Sequence, residues 1–140
     1  MILLDTCVIS ELTRPLPEPA VVAWLRRQDS ESLHLSVITV AEVARGCAQL
    51  ADGRRKQELR RWLDDLRLAY RERIVPFDEP AALRWAEVSA TCRREGRTVP
   101  LFDGFIGATA WRHGFAIATR NIEDFQSAGV DVIDPWKGTT

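Results

Sequence analysis

A chain of 140 residues with a 46% hydrophobic fraction is long enough for one domain, spanning residues 1–140, with a sizeable core. Its formal net charge of −1 excludes a global electrostatic footprint for nucleic acid, so any such binding has to use a local patch. Cys7, Cys47 and Cys92 are odd in number and lack C-x-x-C spacing, which reads as reduced thiols in a cytoplasmic protein rather than a disulfide frame or zinc site.

Met1–Leu4 is too short for a signal-peptide core, and no apolar stretch approaches the ~20 residues needed to span a bilayer. No membrane role is expected. The basic residues are nearly all arginine, with only Lys56 and Lys137 as lysines. Arginine is well suited to gripping phosphate.

Ile2-Leu3-Leu4 is a continuous apolar run, the pattern of a short strand buried on both faces. It ends abruptly on Asp5. A charge at the edge of a core is costly unless something pairs with it. The ordinary account is a helix cap, with Asp5 or Thr6 opening a short helix through Val8, Ile9 and Leu12. The proline-punctuated loop 14–19 then feeds a helix with Val21, Val22, Trp24 and Leu25 at its apolar positions. Leu33–Ser36 alternates as a second strand. A helix over 37–50 follows, with Val40, Val43, Ala44 and Cys47 on one stripe, broken at Asp52-Gly53.

From Arg54 to Arg73, Leu59, Trp62, Leu63, Leu66 and Tyr70 fall at helical spacing, and six arginines occupy the other face. That face is either a solvated helix surface or an RNA or partner surface. Ile74-Val75 predicts a third strand, and a helix over 79–94 carries Ala82, Leu83, Trp85, Ala86 and Val88 inward. Pro100 opens a helix over 101–113 whose Gly104, Gly107, Ala108 and Ala110 allow close approach to a sheet. Phe115–Thr119 is a buried strand, 121–125 a turn or short helix, and Val130–Ile133 a last strand. Alternating strands and helices predict an α/β fold with a parallel sheet.

In such a fold, helices run antiparallel to the strands, so helix N-termini gather at the carboxyl end of the sheet, where ligands bind. Asp5 ends the first strand, Glu42 lies early in the helix after the second, and Asp103 is in the first turn of the helix leading to Phe115. Asn121 and Asp124 follow that strand. Each also has an ordinary role. Thr39-Val40-Ala41-Glu42 fits a capping box, Asp103 complements a helix dipole, and Asp124 suits a cap or surface acid. Gathered at one rim, however, like charges repel by about 4 kcal/mol per pair 4 Å apart at an effective dielectric of 20. A bound cation offsets that, and an all-oxygen ligand set favours Mg²⁺ or Mn²⁺ over zinc. His34 and His113 read as packing or capping residues.

Met1–Thr6, Ile38–Glu42, Asp103–Ala110 and Ala118–Asn121 resemble, in order, the four signatures of PIN-domain ribonucleases. Phe77-Asp78-Glu79-Pro80 and Asp134-Pro135-Trp136 are similar to the bacterial VapC and FitB-type toxins of that group. The resemblance implies a five-stranded parallel sheet flanked by helices and metal-dependent cleavage of RNA. It also implies a homodimer held inactive by a cognate antitoxin, with operator DNA contacted only through the antitoxin. Asp5, Glu42 and Asp103 match the acidic, metal-binding catalytic positions. Asn121 stands where many relatives carry a fourth acid, with Asp124 three residues on as a substitute. Thr6 and Thr119 are candidate supporting or phosphate-contacting hydroxyls.

The rivals are of other classes. An aspartyl phosphotransferase wants an acid two residues after Asp5, where Cys7 stands, and a receiver-like domain wants a late lysine in a place this chain leaves empty. A catalytically weakened interaction module, acting mainly through its antitoxin- and DNA-bound complex, is the remaining alternative. The three retained acids argue against it.

Overall fold

The computed structural model describes residues 1–138. Its elements are β1 (Ile2–Leu4), α1 (Thr6–Glu11), α2 (Pro19–Arg27), β2 (Leu33–Ser36), α3 (Val37–Ala48), α4 (Arg54–Ala69), β3 (Ile74–Val75), α5 (Glu79–Arg94), α6 (Leu101–His113), β4 (Ala116–Ala118), α7 (Ile122–Gln126) and β5 (Val132–Ile133). The five strands form one sheet in the order β3-β2-β1-β4-β5, with every pairing parallel. This is the expected five-stranded parallel α/β sandwich.

The run at Ile2–Leu4 is central because both of its faces are covered. Leu3 lies opposite His34 and Ile117, and Leu4 opposite Leu35 and Ala118. Successive strand residues point to opposite faces. Leu4, Leu35 and Ala118 therefore join Val8, Ile9, Val21 and Trp24 beneath α1 and α2. Leu3 and Ile117 join Ile106, Ala110 and Phe125 beneath α6 and α7. Leu3 and Leu4 are both 0% exposed, so truncating either to alanine costs about 2–5 kcal/mol.

Three local expectations are corrected. In α3 the buried positions are Thr39 and Cys47, with Val43 packed beside them, rather than a stripe beginning at Val40. Ser36 sets that phase: it ends β2 and its hydroxyl accepts from Ile38 N at 3.0 Å, starting the helix at Val37. In α5, Leu83 is 62% exposed and Ala86 is exposed, because this helix packs through Trp85, whose ring meets Phe105 of α6 edge-on at 5.1 Å.

In α6 the glycines serve neighbouring segments rather than the sheet. A Cβ on Gly104 would stand 2.9 Å from Trp85, and one on Gly107 2.9 Å from Ala128; Ala110 is the residue that enters the sheet layer. Gly114 closes α6 with φ 71°, a left-handed conformation in which a side chain is disfavoured.

Candidate active site

The strand order reverses at β1. The chain leaves β1 for β2 and β3 on one side, then returns to its other side for β4 and β5. The carboxyl ends of β1 and β4 therefore flank the switch point of the sheet, where open α/β folds bind ligands. Asp5 lies at that point and is 2% exposed. Its backbone N donates to Ala118 O at 3.0 Å, which pins it across the two strands.

Both oxygens of the Asp5 carboxylate are held. Oδ1 accepts from Thr6 N at 2.8 Å. Oδ2 accepts from Thr119 Oγ1 at 2.8 Å and from Cys7 Sγ at 3.3 Å. Burial pushes the Asp5 carboxyl above its usual range; these donors oppose the shift, and the charge of Asp124 adds to it. The cap and rim readings of Asp5 are thus both correct, since it also caps α1.

Glu42 arrives from α3. It is not the partner of a capping box, because Thr39 lies inside the helix and the cap is Ser36. Instead, Glu42 Oε1 accepts from Thr6 Oγ1 at 2.7 Å. Burial raises its carboxyl, and the charge of Asp5 raises it further. Asp103 comes from the first turn of α6. Its carboxyl is pushed up to about 7, first by burial and then by the charges of Asp5 and Asp124, with Glu42 contributing. The four acids therefore feel one another.

The two candidates for the fourth position separate here. Asp124, in the first turn of α7, couples to Asp5 and Asp103. Asn121 is exposed and caps α7 without a side-chain bond to its backbone. Its backbone N donates to Thr119 Oγ1 at 3.0 Å, which leaves the Thr119 proton for Asp5. Thr6 and Thr119 thus both support the acids directly. His34 and His113 stack near Phe115, at 4.6 and 5.7 Å between ring centroids, as packing residues.

Sequence reasoning passed over two contributors. Thr39 is 0% exposed with its hydroxyl 3.2 Å from that of Thr6. Cys7 contacts Asp5, and burial followed by the Asp5 charge pushes its thiol up to about 12, so it acts as a neutral donor. The available signals were Ser36 as the nearer cap for α3 and the short reach from an N-cap acid to the second helical residue.

The donor set suits a hard divalent cation. All four acids offer oxygen, and burial first, then neighbouring negative charge, raises the carboxyls of Asp5, Glu42 and Asp103, both of which a bound cation offsets. Among the described residues, no three His, Cys, Asp or Glu side chains close around a single point. An ion held by fewer than three of these side chains would keep water or phosphate among its ligands, as Mg²⁺ does. Two depressions adjoin the rim. A cavity of about 380 Å³ beside α5 and α6 includes Asp103 and Asp124 in its wall. One of about 260 Å³ beside α1, α3 and α4 includes Thr6 and Glu42.

An all-parallel α/β domain with acids gathered at its switch point carries them where open α/β folds bind ligands. The chain belongs to the PIN domain family, whose profile matches residues 2–130. It is 42% identical over 138 residues to the VapC ribonuclease Y4jK of Sinorhizobium fredii, covering 98% of this chain and 99% of that protein. It is 44% identical to Toxin FitB of Neisseria gonorrhoeae, covering 97% of this chain and 99% of that protein. The solved structure of FitAB bound to a DNA fragment superposes with a TM-score of 0.90 at 43% identity, covering 97% of this chain and 96% of that one. Among the described residues, no helix is long and apolar enough to cross a membrane.

Proposed function

We propose that this protein is a Mg²⁺-dependent ribonuclease that acts as the toxin of a toxin–antitoxin pair, with Mn²⁺ able to replace Mg²⁺. The observation that carries this reading is the placement of Asp5, Glu42, Asp103 and Asp124 at one rim, where Thr6 bonds both Asp5 and Glu42, Thr119 bonds Asp5 and the charges of Asp5, Asp124 and Glu42 act on Asp103. The full-length similarity to a VapC ribonuclease and to Toxin FitB supports RNA as the substrate.

Asp5 and Asp103 would hold the ion, with Glu42 and Asp124 completing the negative rim. A divalent ion there supplies a bound water of lowered pKa and neutralises charge on the phosphoryl oxygens. The chain's own residues do the positioning. Thr6 N, Thr119 Oγ1 and Cys7 Sγ fix the orientation of the Asp5 carboxylate. Thr6 Oγ1 fixes Glu42, so one threonine braces two acids from different elements. Held in place by packed elements, these groups need little reorganisation when charge develops on the phosphate.

The antitoxin is the expected protein partner, and operator DNA would be reached through it; the FitAB–DNA structure supports that arrangement. A homodimer is the other expected assembly. An RNA and DNA cleavage assay with and without chelator tests the reading. RNA cut only with Mg²⁺ or Mn²⁺ supports it, while chelator-resistant cleavage or no RNA cleavage overturns it.

A further inference from the structure

The cavity beside α5 and α6 has no role in the chemistry described above, although it opens onto the same acids. Its volume of about 380 Å³ lies within the range of small-ligand sites, roughly 300–1,000 Å³. Trp85, Val88, Val99 and Ala108 give it apolar walls, Ser89 and Thr98 add hydroxyls, and Arg93 and Arg97 add positive charge. Gly104 keeps the wall open, because a Cβ there would stand 2.9 Å from Cδ1 and Nε1 of Trp85. Arg97 is engaged with Glu95 and Ser127, whereas Arg93 is exposed and makes no ion pair among the described residues.

We propose that this cavity receives an unstacked nucleobase of single-stranded RNA, one next to the phosphate held at the acidic rim. The inference rests on the ribonuclease reading and adds to it a subsite that reads the substrate. Three features select this occupant. Asp103 and Asp124 belong to both the cavity wall and the rim, so a group in the cavity lies a short covalent reach from a phosphate at the acids. Apolar walls with a few hydroxyls suit the faces and edges of a base, which single-stranded RNA presents by splaying its bases out. Arg93 supplies the charge that a flanking backbone phosphate requires. The overall charge of −1 makes such local recognition necessary.

The test uses the full chain with Mg²⁺ and a short single-stranded RNA whose cut site has been mapped. Matched RNAs carry one abasic ribose at each position around the cut. Ser89→Trp fills the cavity from an exposed position, and circular dichroism checks its fold. The expected result is that an abasic ribose at one position beside the cut raises KM roughly ten-fold, the size of losing one base contact. Ser89→Trp should raise KM similarly on intact RNA and add nothing on that abasic RNA.

Equal cleavage of all abasic RNAs, or additive losses, overturns the proposal while leaving the ribonuclease reading intact. Failure to cut intact RNA overturns both. If Ser89→Trp weakens the antitoxin complex but leaves RNA kinetics unchanged, the cavity holds a protein segment and the proposal is wrong. Should Ser89→Trp misfold, Thr98→Trp at another exposed position of the cavity wall replaces it, with the same non-additivity expected.

Discussion

Thr6 Oγ1 donates a 2.7 Å hydrogen bond to Glu42 Oε1, tying the first turn of α1 to α3 across the mouth of the sheet. The same residue's backbone N donates to Asp5 at 2.8 Å. Two acids that enter from different elements are thus aligned by one residue, Asp5 through its backbone N and Glu42 through its hydroxyl. Thr6→Val removes the hydroxyl and keeps the shape. Because a hydrogen bond to a charged group contributes about 1.5–3 kcal/mol, the Mg²⁺ concentration for half-maximal cleavage should rise roughly ten-fold or more. Thr6→Ser should retain near-parental behaviour. Unchanged Mg²⁺ dependence in Thr6→Val would show that Glu42 needs no such brace.

The Asp103 carboxyl, pushed up to about 7 from a value of 3.8 in a free chain, makes the metal-free fold pH-dependent. Between those values the folded state binds more protons than the unfolded state, so stability falls as pH rises through this window. Asp5 and Glu42 shift in the same direction. Metal-free protein should therefore melt at higher temperature near pH 5 than near pH 8. Asp103→Asn should flatten the slope, and saturating Mg²⁺ should raise the melting temperature most at pH 8. A metal-free melting temperature that climbs from pH 5 to pH 8 contradicts the account.

The metal count should follow Asp124 rather than Asn121. One divalent ion offsets half the charge of four carboxylates at the rim, and a second needs phosphate oxygens as well. Calorimetric titration with Mn²⁺ should give one site in the substrate-free protein. Asp124→Asn should weaken it several-fold. Asn121→Asp, at an exposed position apart from the acids, should leave it unchanged. Two tight sites in the parent protein, or indifference to Asp124→Asn, would sink this assignment.

The groove beside α1, α3 and α4 is lined by Val43, Gly46, Leu50, Leu59 and Trp62 and reaches Glu42. An antitoxin segment laid there would bring its apolar side chains into the groove and a polar group to the acids. A Cβ on Gly46 meets nothing within 4 Å, so Gly46→Trp fills the groove without disturbing the helix. Co-expression with the cognate antitoxin should give an inactive complex with the parent chain. With Gly46→Trp that complex should dissociate at least about ten-fold faster, as for a lost interface anchor, while free-toxin cleavage is kept. An unchanged dissociation rate places the antitoxin elsewhere.

Much of this architecture is legible in the sequence because its signals are local. Apolar runs bounded by turn residues mark β1, β2 and β4, and proline or glycine marks the ends of α6. Topology then places Asp5, Glu42 and Asp103 on one edge without any contact being known. Long-range contacts are what the sequence leaves open. The Thr39 hydroxyl near Thr6, the Thr119 hydroxyl on Asp5 and Trp85 against Gly104 each join segments whose phase or approach no short pattern specifies. The capping-box pattern at Thr39–Glu42 misleads for the same reason. Ser36 starts α3 one turn earlier, which frees Glu42 to point at the site.

The most direct test of the central claim is the rate at which Asp5→Asn cleaves RNA under saturating Mg²⁺. Asp5 receives three donors and sits at the switch point. The change preserves shape and removes charge from a crowded rim, so the metal-free variant should fold with stability equal to or above the parent. Its cleavage rate should drop by at least about a hundred-fold, the scale of losing a group that stabilises the transition state electrostatically. A folded Asp5→Asn protein that cuts RNA at the parental rate would contradict the account.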